Sequence, residues 1–130
     1  MKQFWTALFT LFITTTVFIG CGAGHPTITS ITVTPATATA ATSSQGQVGF
    51  SASGTFTNHQ SRLLTVGDGL SWSSSNVAMV SISSLGLATC KAAGMVTITA
   101  SAPANLQFTV GSGVNNTSAT VTGTGTLTCT

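Results

Sequence analysis

The sequence predicts an all-β sandwich that follows an N-terminal export signal. The prediction depends on short runs in which apolar residues alternate with Ser and Thr, on turn residues between these runs, and on the lack of a helical apolar stripe after residue 20. Apolar residues at every second position indicate a strand with one buried face. Several such strands within about 100 residues are typical of two packed antiparallel sheets. We therefore expect a signal peptide over residues 1–20, a short tether over 21–27 and one domain over 28–130.

The first half of the domain contains two clear strands. Ile31–Pro35 ends at a proline, which has no N–H to donate to a sheet ladder. Thr37–Gly46 is rich in Ala, Thr and Ser, and we expect an irregular edge strand or loop there. Val48–Phe56 alternates strictly and places Phe50 on the buried face.

Four later runs continue the alternation. The residues expected on their buried faces are Leu70 and Trp72, then Val80 and Ile82, then Val96, Ile98 and Ala100, and finally Ala119, Val121, Leu127 and Cys129. Turn residues separate these runs at Gly67-Asp68-Gly69 and over residues 111–116. We predict that the core is built around Trp72, Phe50, Val80, Ile82 and Ile98.

The first 24 residues, MKQFWTALFTLFITTTVFIGCGAG, have the layout of a secretory signal. A lone positive charge at Lys2 precedes an apolar run, Phe4–Ile19, and then small residues. The run is about 16 residues long and is interrupted by threonines, whereas a membrane-spanning helix needs about 20 apolar residues.

The end of this segment, VFIGC, resembles a bacterial lipobox. The resemblance implies a diacylglycerol group on the Cys21 sulfur, cleavage before Cys21 and acylation of the new amino terminus. Each buried methylene contributes ~0.8 kcal/mol, so two or three acyl chains would hold the protein on a membrane stably. An ordinary signal peptide with a cysteine nearby is the alternative interpretation.

The charge content excludes several classes of function. The 130 residues carry a net charge of +2, and after residue 20 the only charged side chains are Arg62, Lys91 and Asp68. Nucleic acid binding requires several Lys or Arg residues to release counterions. A single acidic residue cannot provide the carboxylate pair of a glycosidase.

A catalytic triad of a serine, His59 and Asp68 is conceivable on composition alone. The sequence has no Gly-x-Ser-x-Gly elbow, and His59 and Asp68 fall in one polar connection. We interpret both as solvated loop residues, and His25 as a residue of the tether. The expectation is a protein that is not an enzyme and binds no cofactor.

Three segments, ITVTPA, FSASGTFTNHQSRLLT and LSWSSSNVAMVSISSLGLATCKAAGMVTITA, together resemble the bacterial immunoglobulin-like domain, group 2. The resemblance covers Ile31–Ala102 and the final strand from about Ser118. It implies an immunoglobulin-like β-sandwich of about seven to nine strands. Gly86 and Gly94 are candidates for positive φ or for close approach in hairpin turns. Two departures from the family are Cys90, where a small residue is usual, and an apparent insertion over Pro103–Asn116.

Cys90 and Cys129 remain once Cys21 is assigned to lipid. An exported protein meets an oxidising compartment, and both cysteines continue inward-facing positions, so we expect them to form a disulfide. The bond would close a loop of about 40 residues and stabilise the fold by roughly 4 kcal/mol in the chain-entropy model. Free buried thiols are the alternative. A zinc site is not expected, because neither His25 nor His59 has ligand spacing.

The sequence and both resemblances predict a non-catalytic, lipid-anchored module of the cell envelope. Its expected role is structural spacing, adhesion or protein interaction, with the membrane as a partner through Cys21 and a surface protein or polysaccharide as a further partner. The alternative function is a carbohydrate-binding module of the cell surface. That alternative needs exposed aromatic rings, whereas Trp72 is expected in the core.

Overall fold

The computed structural model describes residues 25–43, 46–106 and 117–130. The predicted signal peptide, Cys21 and most of the predicted insertion lie outside the described residues. Within those ranges, no helix has the length and apolar character needed to cross a membrane. The described elements are β1 (Ile28–Thr34), β2 (Thr37–Ala40), β3 (Gln47–Gly49), β4 (Ser51–Phe56), β5 (Ser61–Leu63), a 3-10 turn (Val66–Asp68), β6 (Ser71–Ser74), β7 (Val80–Ile82), β8 (Leu87–Cys90), β9 (Gly94–Pro103) and β10 (Thr120–Cys129).

The strands form the two layers of an immunoglobulin-like sandwich. One layer contains two three-stranded sheets, β1-β4-β5 and β3-β8-β7, which are consecutive because β3 leads directly into β4. The other layer is a four-stranded sheet in the order β2-β10-β9-β6. All pairings are antiparallel except that of β2 with β10. The chain passes from β1 to β2, and thus between layers, through a cis peptide bond at Thr34–Pro35.

The predicted strand Val48–Phe56 is divided in two at Phe50. Before this residue β3 pairs with β8, and after it β4 pairs with β1 and β5. The Phe50 N–H donates to the Gly86 carbonyl oxygen at 2.8 Å, so the break leaves no unpaired donor here. This division and the short strands β2 and β5 bring the described strands to ten, against the predicted seven to nine.

The buried core lies between the layers and follows the predicted alternation most closely in β9 and β10. Every second residue is buried from Val96 to Ala102 in β9 and from Gly123 to Cys129 in β10, and the two strands pair over ten consecutive positions. The prediction is wrong at the start of the last run, where Ala119 is exposed and Val121 is only partly buried. Phe50, Val80 and Ile98 are buried, in agreement with the sequence analysis. The fully buried side chains with the largest volumes are those of Ile98, Leu127, Val80, Val96 and Cys90.

Trp72 and Ile82 differ from the prediction, because both are only partly buried and pack against the core from its margin. Trp72 lies on β6, which is the last strand of its sheet and pairs only with β9 there. Ile82 lies on β7, the last strand of the sheet β3-β8-β7. Alternation places Trp72 and Ile82 on the inward faces of their strands. Each strand has a neighbouring strand on one side only, so part of the inward side chain stays exposed to solvent.

Candidate interaction surface

A disulfide joins Cys90 at the end of β8 to Cys129 at the end of β10, with their Cα atoms 5.8 Å apart. The predicted pairing is confirmed, and the alternative of two free thiols is wrong. Both residues are buried, and β8 and β10 belong to different layers. The bond therefore crosses the core and ties the two layers together, and neither sulfur is available as a thiolate.

Arg62 and Asp68 form a bidentate ion pair beside the 3-10 turn. Arg62 donates from Nη2 to Asp68 Oδ1 at 2.7 Å and from Nη1 to Oδ2 at 3.0 Å. Asp68 Oδ2 also accepts the backbone N–H of Thr65 at 2.9 Å and its hydroxyl at 3.1 Å. These bonds, chiefly the one from Arg62, lower the pKa of Asp68 to about 2, although partial burial acts in the opposite direction.

In this geometry Asp68 and His59 are both turn residues, and they do not form a catalytic pair. Both Asp68 oxygens are taken up by Arg62 and Thr65, so the carboxylate holds the turn and does not orient an imidazole. His59 occupies a tight turn with a φ of 62°, and its backbone N–H donates to the Phe56 carbonyl. His25 is exposed at the start of the described chain. In the described ranges, no three His, Cys, Asp or Glu side chains cluster in a way that could hold a metal ion.

An apolar groove, here called the Trp72 groove, opens where β5 and β6 end their respective sheets. It has a volume of about 260 Å³. Leu64, Leu70 and Ala52 are buried at its base, beside Phe50 and the partly buried Trp72. Its rim is formed by Leu63, Val66 and Leu85, which are 61%, 45% and 82% exposed. Among the residues that the structure describes, no charged side chain lines the groove.

The rim residue Leu85 is held on a well-braced turn. The Gly86 N–H donates to the Ser83 carbonyl at 3.0 Å, and the Ser83 hydroxyl oxygen accepts the N–H groups of Leu85 and Leu87 at 3.3 and 3.1 Å. Ser83 and Gly86 therefore satisfy the turn, and nothing in it requires a large apolar side chain at position 85. The turn presents an exposed leucine from a fixed backbone.

Trp72 lines the groove and packs against Phe50 and Gly86. Its ring centroid lies 6.5 Å from that of Phe50, with the two rings tilted by 48°. Gly86 also lies against the indole, since a Cβ at this position would stand 3.1 Å from it. The contacts with Phe50 and Gly86 restrict movement of the ring that lines the groove.

Sequence reasoning missed Leu63, Val66 and Leu85 as surface features. Leu85 carried a usable signal, because it is the one large apolar residue in the turn segment Ser83-Ser84-Leu85-Gly86. Leu63 and Val66 carried none, since a leucine beside a strand and a valine before a glycine are ordinary. Their exposure follows from β5 lying at a sheet edge, which depends on the order of strands in the sheet.

The strands form two packed layers, antiparallel except for the β2–β10 pair, as in an immunoglobulin-like sandwich. The model of the bacterial Ig-like domain (group 2) matches residues 27–110, which is more than half of the chain. The chain belongs to this family, whose members are typically non-catalytic. The match ends before β10, so Cys129 lies outside it. Comparison with curated proteins finds no match.

Proposed function

We propose that the protein is a non-catalytic module of the cell envelope, held at a membrane by lipid on Cys21 and acting through protein contact. Family membership supports a structural or adhesion-type module. The observation that carries the proposal is the Trp72 groove, an apolar recess on a domain whose buried cysteines and single acidic residue have structural partners.

The argument against catalysis rests on how these groups are used. The two buried cysteines are joined to each other, and Asp68, the only acidic residue of the sequence, is bound by Arg62 and Thr65. A general acid or base near neutral pH needs a pKa close to the working pH. Asp68 has its pKa at about 2, far below that range.

The groove favours a protein partner over a polysaccharide. Sugars are bound by aromatic faces together with side chains that make several hydrogen bonds. Here Trp72 is braced by Phe50 and Gly86, and the open rim presents Leu63, Val66 and Leu85. Such a rim gains free energy by covering apolar surface, at roughly 25 cal/mol per Å² removed from water. The apolar rim therefore supports a protein as the partner.

Lipid attachment is tested by intact-mass spectrometry of the protein purified from envelopes. We expect a mass that corresponds to cleavage before Cys21 plus two or three acyl chains, and sedimentation with membranes. The matched variant Cys21→Ser keeps the residue size but offers no thiol, and it should lack the added acyl mass. Wild-type protein without acyl mass would contradict the anchoring proposal.

A further inference from the structure

We propose that the Trp72 groove is a self-association site, in which two copies of the chain pair about a two-fold axis and Leu85 of each copy enters the groove of the other. The proposal deepens the proposed function by naming the partner, and it rests on the protein-contact role of the groove. It does not depend on lipid at Cys21.

The projecting side chain and the recess that would receive it lie side by side on one surface. Leu85 is 82% exposed although it borders the groove, so its own groove leaves most of that side chain uncovered. In a two-fold dimer the same patch serves both partners, so a projection beside a recess is matched twice by one rotation. The pairing would cover both leucines and both grooves.

The size of the recess suits an aliphatic side chain. A volume of about 260 Å³ is small for a drug-sized ligand, whose pockets run from about 300 to 1,000 Å³. It can accept a leucine with its neighbouring backbone. The base of Leu64 and Leu70 supplies the apolar contacts that such a side chain would make.

Charge favours a second copy over a charged partner. Identical surfaces repel when they carry net charge, and complementary charge is the usual means of steering a foreign partner. In the described part of the chain the groove has no charged lining residue, and the adjacent Arg62 and Asp68 neutralise each other in a bidentate pair. Two copies therefore meet without like-charge repulsion.

Both sides of the contact are already ordered in the single chain. The Ser83 bonds hold the turn that carries Leu85, and Phe50 and Gly86 hold Trp72. A preformed site loses less conformational entropy on association. The patch is nevertheless small, because only three exposed apolar residues form the rim, and we expect a weak dimer with a Kd of about 0.1–1 mM.

The test is sedimentation equilibrium of the full chain carrying Cys21→Ser, so that lipid does not contribute to association, at concentrations up to about 1 mM. We expect a monomer–dimer equilibrium. Leu85→Asp and Leu63→Asp should each raise the Kd at least about tenfold, since either places a charge in the contact. The chemical shift of the Trp72 indole N–H should change with concentration in parallel.

The matched control is Val77→Asp, because Val77 is 70% exposed on another turn and does not line the groove. It should leave the Kd unchanged. Circular dichroism and thermal unfolding establish that each variant is folded, which the exposure of Leu85 and Leu63 leads us to expect. A monomer at all concentrations, or equal weakening by Val77→Asp, would overturn the dimer while leaving acylation at Cys21 and binding of a different protein untouched.

Discussion

Gly86 is constrained by its backbone conformation, by a hydrogen bond and by a close contact with a side chain. Its φ of 81° lies in the left-handed region, its carbonyl accepts the Phe50 N–H, and it lies close to the indole of Trp72. A Cβ at this position would overlap the Phe50 carbonyl oxygen. The sequence analysis named Gly86 as a candidate for positive φ or close approach in a turn, and the structure shows both.

Gly86→Ala should therefore lower the free energy of unfolding by about 2–4 kcal/mol, from the left-handed backbone and from overlap with Phe50. Urea unfolding followed by Trp72 fluorescence measures the change. Gly49→Ala is the matched control, because a Cβ there meets nothing within 4 Å. It should leave stability unchanged or raise it by up to about 1 kcal/mol. Equal effects of the two substitutions would contradict this account of Gly86.

Among the secondary-structure elements, β5 and the 3-10 turn that follows it are linked by the Arg62–Asp68 ion pair as well as by the backbone. Arg62 on β5 reaches Asp68 at the end of the turn, and it also donates to the Leu63 carbonyl at 3.1 Å. This covers part of the β5 edge with a cation, which discourages pairing with a strand of another chain. The Trp72 groove beside this edge is thus suited to side-chain contact.

The pH dependence of stability should reflect this pair. The pKa of Asp68 is lowered from 3.8 to about 2, so its contribution is fully present above about pH 4 and is lost as the pH falls through 2. Because Arg62 is half exposed, we expect a loss of only about 1 kcal/mol. Urea unfolding between pH 7 and 2 measures it.

Asp68→Asn is the control for this titration. Asp68 is the only side-chain carboxylate in the sequence, so no other acidic side chain can contribute in this range. The variant should be less stable at pH 7 and show a flatter profile between pH 4 and 2. A wild-type profile that is flat down to pH 2 would show that the pair does not stabilise the fold.

The positions of the strands could largely be predicted from the sequence, but the strands with which each one pairs could not. Alternation identified the inward faces of β9 and β10 because it is a local property of the chain. The break at Phe50 depends on β3 and β4 having different partners, and the exposure of Trp72 depends on β6 lying at an edge. Both facts depend on pairing between residues that are far apart in sequence. The alternation of apolar residues is local and carries no information about that pairing.

In the molecule as a whole, the disulfide divides the chain into the residues inside a covalent loop, here called the closed part, and the residues outside it, here called the open part. Residues between Cys90 and Cys129 form a covalent loop with a sequence separation of 39 that contains β9 and β10. β10 pairs with β9 along its length and with β2 over four residues. The closed part thus includes the strands that organise the four-stranded sheet, and the open part includes β1 to β7.

The disulfide determines which part of the chain can extend when the protein is pulled from its two ends. Force applied before β1 and after Thr130 passes from Cys129 directly to Cys90, so the loop between them cannot lengthen. At ~3.3–3.6 Å per residue, the 39-residue separation corresponds to about 130 Å of extension that is withheld. In single-molecule pulling of the full chain carrying Cys21→Ser, reduction should lengthen the unfolded protein by that amount. The double variant Cys90→Ala, Cys129→Ala should show the longer extension with or without reductant. Equal extension of oxidised and reduced wild type would mean that the bond does not form in the protein as it is made.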